Sequence, residues 1–297
     1  MKSNENLVRF QLAVGMGTFG SATPVSKLVS QAMPVFIAGA LRVALGAFAL
    51  APALIRHRRE LGRMGRRDWL LVAVIALVGM FGFTAFMLYG MKLASGVAGA
   101  TVMSTTPVVT ALGSIAFLGE RPTWRKIVAV GLAIVGVLVI QLGQGGSSGA
   151  GNPWLGAGLV FCAVCCEATY TIAGKMAAKD LPPVLVAALA AAISVPIFVP
   201  FALWQWTAFD ISSVGWSAWL ALAWYGLGTL ALGSWLWYSG LAHTQGSVAA
   251  AFMGVMPASA LALSYLLLGE PFRWVHLLGF GIVFASVLLI SQEHASE

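Results

Sequence analysis

The chain has 297 residues, 59% of them hydrophobic and only 9% charged, and its mean hydropathy is +0.89. A soluble domain carries about 25% charged residues, so this composition excludes a free-standing water-soluble fold. The net charge of +7 resides in short basic stretches between apolar runs; these orient a membrane protein and do not form the continuous basic face that nucleic acid requires.

Apolar runs of roughly 20 residues match the ~30 Å hydrocarbon core of a bilayer. In chain order they predict ten spans, at 9–27, 33–55, 69–91, 95–118, 124–143, 154–177, 182–204, 216–239, 246–268 and 273–291. All are expected to be helices, because an open strand cannot satisfy its backbone in lipid. The fold class is therefore an all-α integral membrane protein. Lys2 and Arg9 ahead of an apolar stretch look like a signal peptide, but nine further apolar segments follow, so the stretch reads as an uncleaved first span.

Span one carries Met16, hydroxyls at Thr18 and Ser21, and Gly17 and Gly20, which permit close packing. Span two holds Arg42 at mid-membrane between Leu41 and Val43. A charge at that depth costs about 2.5–3.5 kcal/mol and needs a reason. Arg42 is either an anchor for a substrate carboxylate or a buried hydrogen bonder between helices. Span three offers Phe83, Phe86 and Tyr89, and span eight, its counterpart in the second half, offers Trp235 and Tyr238. These rings either stack on a flat apolar substrate or pack against lipid and neighbouring helices.

Span four contains Met103, Ser104, Thr105, Thr106 and Pro107. Pro107 and its counterpart Pro257 free backbone carbonyls, which predicts a kink or hinge, and the adjacent hydroxyls can re-satisfy those carbonyls. The Gly/Ser-rich stretch 144–153 reads as a linker between a first unit, 1–143, and a second, 154–297. In span six the cysteines Cys162, Cys165 and Cys166 read as apolar fillers. Glu167, Tyr170 and Gly174 share one helix face there. Glu167 is a candidate cavity wall that binds a substrate amino group or carries a coupling proton; its alternative is an internal salt bridge with Arg42 or Lys27. Met253 and Met256 in span nine supply an adaptable lining.

Lys and Arg set the orientation. The loops after spans two, four and six hold Arg56, Arg58, Arg59, Arg63, Arg66, Arg67, Arg121, Arg125, Lys126, Lys175 and Lys179, against Lys27, Lys92 and Arg273 on the other side. Both termini are then expected in the cytoplasm.

The chain also repeats itself. Gly96–Ile140 slides onto Gly246–Ile290 without a gap, pairing Met103 with Met253, Pro107 with Pro257, Glu120 with Glu270 and Trp124 with Trp274 at an offset of 150 residues. Five spans per half is an odd number, so the halves enter the membrane in opposite senses, which provides a route to alternating access. Glu120 and Glu270 stand just ahead of the next helix and are expected to cap it.

The doubled unit, the segments Pro107–Glu120 and Pro257–Glu270, Leu41-Arg42 and the Trp-led starts of spans five and ten resemble the drug/metabolite transporter superfamily in its EamA branch. The resemblance implies a ten-helix inverted repeat with a central cavity, spans five and ten at its periphery, and export of amino acids or other metabolites, as in the YddG-like amino-acid exporters. The leading expectation is a secondary transporter of small amphipathic metabolites, aromatic amino acids included, with the lipid bilayer and a small-molecule substrate as its partners. Efflux of lipophilic cations is the alternative. The four histidines lack paired-ligand spacing, and neither a nucleotide-binding loop nor a channel filter is present, so no enzyme, metal, cofactor or nucleotide is expected. The protein is expected as a monomer or as a homodimer through Ala129, Ala133, Gly281 and Ala285.

Overall fold

The structure, a computed structural model, describes residues 2–118, 123–143, 152–177, 181–241, 243, 252 and 254–294, and every regular element among them is helical. Five stretches are long and apolar enough to cross a membrane: Val35–Arg56, Arg66–Leu93, Gly96–Phe117, Pro153–Ala177 and Pro183–Trp206.

Helix α1 runs from Lys2 to Ala32. It stops where Pro34 pushes the preceding residue out of helical geometry. Helix α2 is Val35–Arg56. Helix α3 is composite: Arg66–Val74, a wide π-helical section Ile75–Gly82, then Phe83–Leu93. Helix α4 is broken into Gly96–Met103 and Thr106–Leu118. Helix α5 is Trp124–Gly143, α6 Pro153–Ala177 and α7 Pro183–Trp206. Helix α8 repeats the composite form of α3, with Trp216–Ala223, a π-helical section Trp224–Leu232 and Gly233–Leu241. Helices α9, Val255–Leu268, and α10, Trp274–His294, complete the described chain.

The two π sections coincide under the 150-residue offset, which places Ile75 opposite Tyr225. A π turn carries an extra residue, rotates the following helix face and frees carbonyls from the α ladder. Within the π section of α3, the Ser194 hydroxyl of α7 lies 2.9 Å from Ala76 O as well as 2.7 Å from Ala190 O of its own helix. The break in α4 has a comparable cause. Pro107 cannot donate, and the Ser104, Thr105 and Thr106 hydroxyls donate to the carbonyls of Thr101, Val102 and Met103 at 2.6, 2.7 and 2.7 Å. Pro107 and Pro257 each lie in the first turn of a helical piece, where a missing N–H is tolerated.

The halves interlock. Helix α3 packs on α6, α8 on α1, and α2 on α7, while α5 and α10 pair with each other. Gly136 and Gly279 bring the α5 and α10 backbones together: a Cβ at Gly136 would lie 2.6 Å from the carbonyl of Gly279. Ala129 and Ala133 are buried within the chain against Val108 and Ala111. They are therefore unavailable for the dimer contact expected of them, whereas Gly281 and Ala285 stay exposed. Beyond α9, Gly269 turns the chain at φ 62°. An L-side chain in that region costs about 1–2 kcal/mol, so Gly269→Ala is expected to lower the detergent melting temperature while leaving transport intact.

Candidate functional site

Small neighbours on α2 (Gly39, Ala40, Gly46) let helices close around Arg42, which is 5% exposed. Its guanidinium donates to the Thr84 hydroxyl on α3 and lies over two rings, 4.0 Å from the centroid of Tyr225 and 5.5 Å from that of Phe83. A desolvated cation–π contact is worth about 2 kcal/mol or more, which offsets much of the burial of the charge. The π section of α8 supplies Tyr225, and the backbone approaches there too: a Cβ at Gly226 would lie 2.8 Å from Arg42 O. Two buried polar atoms, Arg42 Nε and the Tyr225 hydroxyl, have no hydrogen-bond partner among the described residues. Each such atom costs about 1–3 kcal/mol unless it takes an acceptor from outside the protein.

Glu167 faces the same interior from α6. Thr106 Oγ1 lies 3.0 Å from Glu167 Oε2 and 2.7 Å from the carbonyl of Met103, so its single proton is shared between carboxylate and backbone. The break in α4 is what brings Thr106 there. Glu167 retains partial accessibility, unlike Arg42. The two charges influence each other electrostatically, yet among the described residues no ion pair joins them. Lys27 is engaged elsewhere, donating to Ala94 O at 2.5 Å. The salt bridge considered for Glu167, with either Arg42 or Lys27, is therefore not formed.

The remaining predicted residues divide. Ser21 accepts from Trp224 Nε1 at 2.8 Å and donates to Thr18 O at 2.6 Å, so α1 and α8 are tied at the level of the π section. The Thr18 hydroxyl returns to its own helix at Val14 O, 2.7 Å away. Met103 is buried with Met87, Met91 and Val102, and Met256 touches both that cluster and the one around Met16 and Trp237, bridging the halves. Tyr170 packs on α3, where a Cβ at Gly79 would lie 2.8 Å from Tyr170 Cβ. Tyr89 stands near the end of α3 by Phe36 and Gln205, at a cavity of about 300 Å³ that Lys92 also lines. Phe86 is 38% and Trp235 54% exposed, and neither has a ring or hydrogen-bond contact with Arg42 or Glu167 among the described residues. Trp237 is buried in their place. Met253 and the Tyr238 side chain lie outside the described residues.

Sequence reasoning passed over Thr84, Trp224 and Tyr225. A tyrosine well inside the apolar run Leu220–Leu232 was the available signal, since unanchored tyrosines usually sit at the interfaces. Among the described residues no group of His, Cys, Asp and Glu could hold a metal ion.

These features define a helical membrane protein whose two related halves enclose an arginine and a glutamate held apart. The profile of the EamA-like transporter family matches residues 10–142 and again 154–292, and the chain belongs to that family, within the drug/metabolite transporter superfamily. It is similar to the uncharacterized transporter YetK of Bacillus subtilis, 29% identical over 279 residues that cover 94% of this chain and 84% of that one. It is also similar to a probable terminal-alkyne amino-acid exporter of Streptantibioticus cattleyicolor, 25% identical over 252 residues, covering 85% and 82%. A solved protein crystal structure shares the fold at TM-score 0.60 and 18% identity, covering 97% of this chain and 96% of the other. The protein is a membrane transporter.

Proposed function

We infer that the protein exports zwitterionic amino acids with apolar or aromatic side chains, by alternating access through the space between its halves. The observation that carries this reading is the separation of Arg42 and Glu167. A zwitterion presents both charges, and the interior offers a partner for each without the two cancelling first. The open Nε of Arg42 and the Tyr225 hydroxyl are donors suited to a carboxylate. Glu167 is an acceptor suited to an ammonium group, and Phe83, Met103 and Met256 supply apolar surface. The amino-acid exporter among its relatives supports the same substrate class. In this reading the units 1–143 and 154–297 are inverted five-span repeats. All ten helices cross the inner membrane, and both termini face the cytoplasm, where the basic loops lie.

Ligand-induced stabilisation tests the charge requirement directly. L-phenylalanine is expected to raise the melting temperature of the detergent-solubilised protein. Phenethylamine and 3-phenylpropionate, which each keep one charge, are expected to do so far less. Stabilisation by phenethylamine alone would assign the site to lipophilic cations and overturn the zwitterion reading. Glu167→Gln should weaken L-phenylalanine about 10- to 100-fold, the value of one hydrogen bond to a charged group, in the same assay. Unchanged affinity would remove Glu167 from the site.

A further inference from the structure

One end of the bundle is fastened across the two halves by contacts that the substrate site does not use. Glu270, in the turn between α9 and α10, reaches the start of α4. Its carboxylate accepts the backbone N–H groups of Gly96 and, at 2.9 Å, Val97. These are orphan donors of a helix N-terminus, and an anion there is favoured by both hydrogen bonding and the helix dipole. Ser95 caps the same turn by accepting from Ala98 at 3.1 Å. One residue upstream, Lys27 of α1 holds the carbonyl of Ala94 at 2.5 Å, close enough for its charge to sense Glu270. The helices meet too closely for a side chain at position 96: a Cβ there would lie 3.0 Å from Glu270 Oε1 and 3.2 Å from Ser264 Cβ.

The packing is lopsided in the way a one-sided closure requires. Helix α1 packs on α3 and α4, and α9 packs on the first piece of α4. By the repeat, α6 is the counterpart of α1, yet among the described residues it makes no contact with the Gly233–Leu241 piece of α8 comparable to that of α1 with the Phe83–Leu93 piece of α3. The fastened end carries the Ala94–Val97 and Gly269–Arg273 turns, which the loop charges assign to the outside.

We propose that Glu270 and Lys27 form an external latch, in which a carboxylate of the second repeat clamps the α4 N-terminus of the first and holds the transporter closed to the outside. This deepens the transport reading above and rests on it for the direction of opening. Release of substrate outward requires Glu270 to leave Gly96 and Val97, and the protein with the latch intact is the inward-facing state.

The test is a distance measurement that needs no substrate. Cys162, Cys165 and Cys166 are replaced by Ala, and spin labels are placed at Lys92→Cys and Phe272→Cys, which are exposed positions on either side of the latch. Double electron–electron resonance in nanodiscs is then read for the latch-intact protein and for Glu270→Ala and Glu270→Gln. The intact protein should give one short-distance population. Glu270→Ala should shift most molecules to a longer distance, and Glu270→Gln, which keeps one acceptor oxygen, should give both populations. Glu270→Gln carries the test if Glu270→Ala does not fold. Unchanged distances in the folded variants would overturn the latch. Uptake assays on the same proteins separate the two claims, because absence of uptake in the latch-intact protein would overturn the transport reading and leave the distances standing.

Discussion

Arg42→Met is expected to cut transport at least about 10-fold while leaving the protein folded. Methionine keeps much of the length and volume of the arginine stem but cannot donate. It loses the bond to Thr84 and the stack on Tyr225, the latter worth about 2 kcal/mol. It also removes a charge whose placement at membrane depth costs about 2.5–3.5 kcal/mol, so the stability terms nearly cancel. The transport terms do not. A carboxylate deprived of the charged Nε donor loses about 1.5–3 kcal/mol, which corresponds to at least about a 10-fold fall in uptake. Arg42→Lys should fall between, because an ammonium keeps the charge but neither the planar stack nor a donor at the Nε position. The check is uptake by reconstituted protein alongside its melting temperature. Folded Arg42→Met with undiminished uptake would reduce Arg42 to a structural tie.

The second large effect lies at the crossing of α1 and α9. A Cβ at Gly20 would run into the Ser259 side chain and the carbonyl of Met256, with Ala260 N at 3.0 Å. Backbone atoms cannot rotate aside as a side-chain tip can. Gly20→Val must therefore drive α1 from α9 and open the contact through which Met256 joins the two halves. Overpacking in cores usually costs about 1–3 kcal/mol, and a backbone obstruction belongs at or above the top of that range. Against a total stability of about 5–15 kcal/mol, this should cut the yield of monodisperse protein severely. Three residues away, a Cβ at Gly17 meets nothing within 4 Å. Gly17→Ala should leave yield unchanged or raise it, since alanine is the better helix former by about 1 kcal/mol. Equal yields of Gly20→Val and the parent protein, read by size-exclusion chromatography, would contradict the packing described for this crossing.

Much of this was legible in the sequence because lipid enforces a simple code. Arg42 and Glu167 stand out from apolar surroundings, and the 150-residue offset shows the repeat without a structure. What stayed hidden depends on tertiary geometry. The π sections of α3 and α8 lie in unremarkable apolar sequence, and only close helix packing shows why the backbone widens there. Tyr225, in the π section of α8, was passed over because nothing in the apolar run around it shows that it stacks on Arg42. Glu270 was read as the cap of the helix that follows it. Its partners are the N–H groups of Gly96 and Val97, 174 and 173 positions away, a pairing that local rules cannot anticipate.

Carriage of zwitterionic amino acids is open to direct test by reconstitution. Purified protein in liposomes would be offered radiolabelled L-phenylalanine and a panel of other amino acids, with and without a pH gradient. Saturable uptake is expected, accelerated through exchange by preloaded unlabelled substrate and cut at least about 10-fold by Arg42→Met. Failure of the folded protein to carry any amino acid, together with saturable carriage of a lipophilic cation, would contradict it.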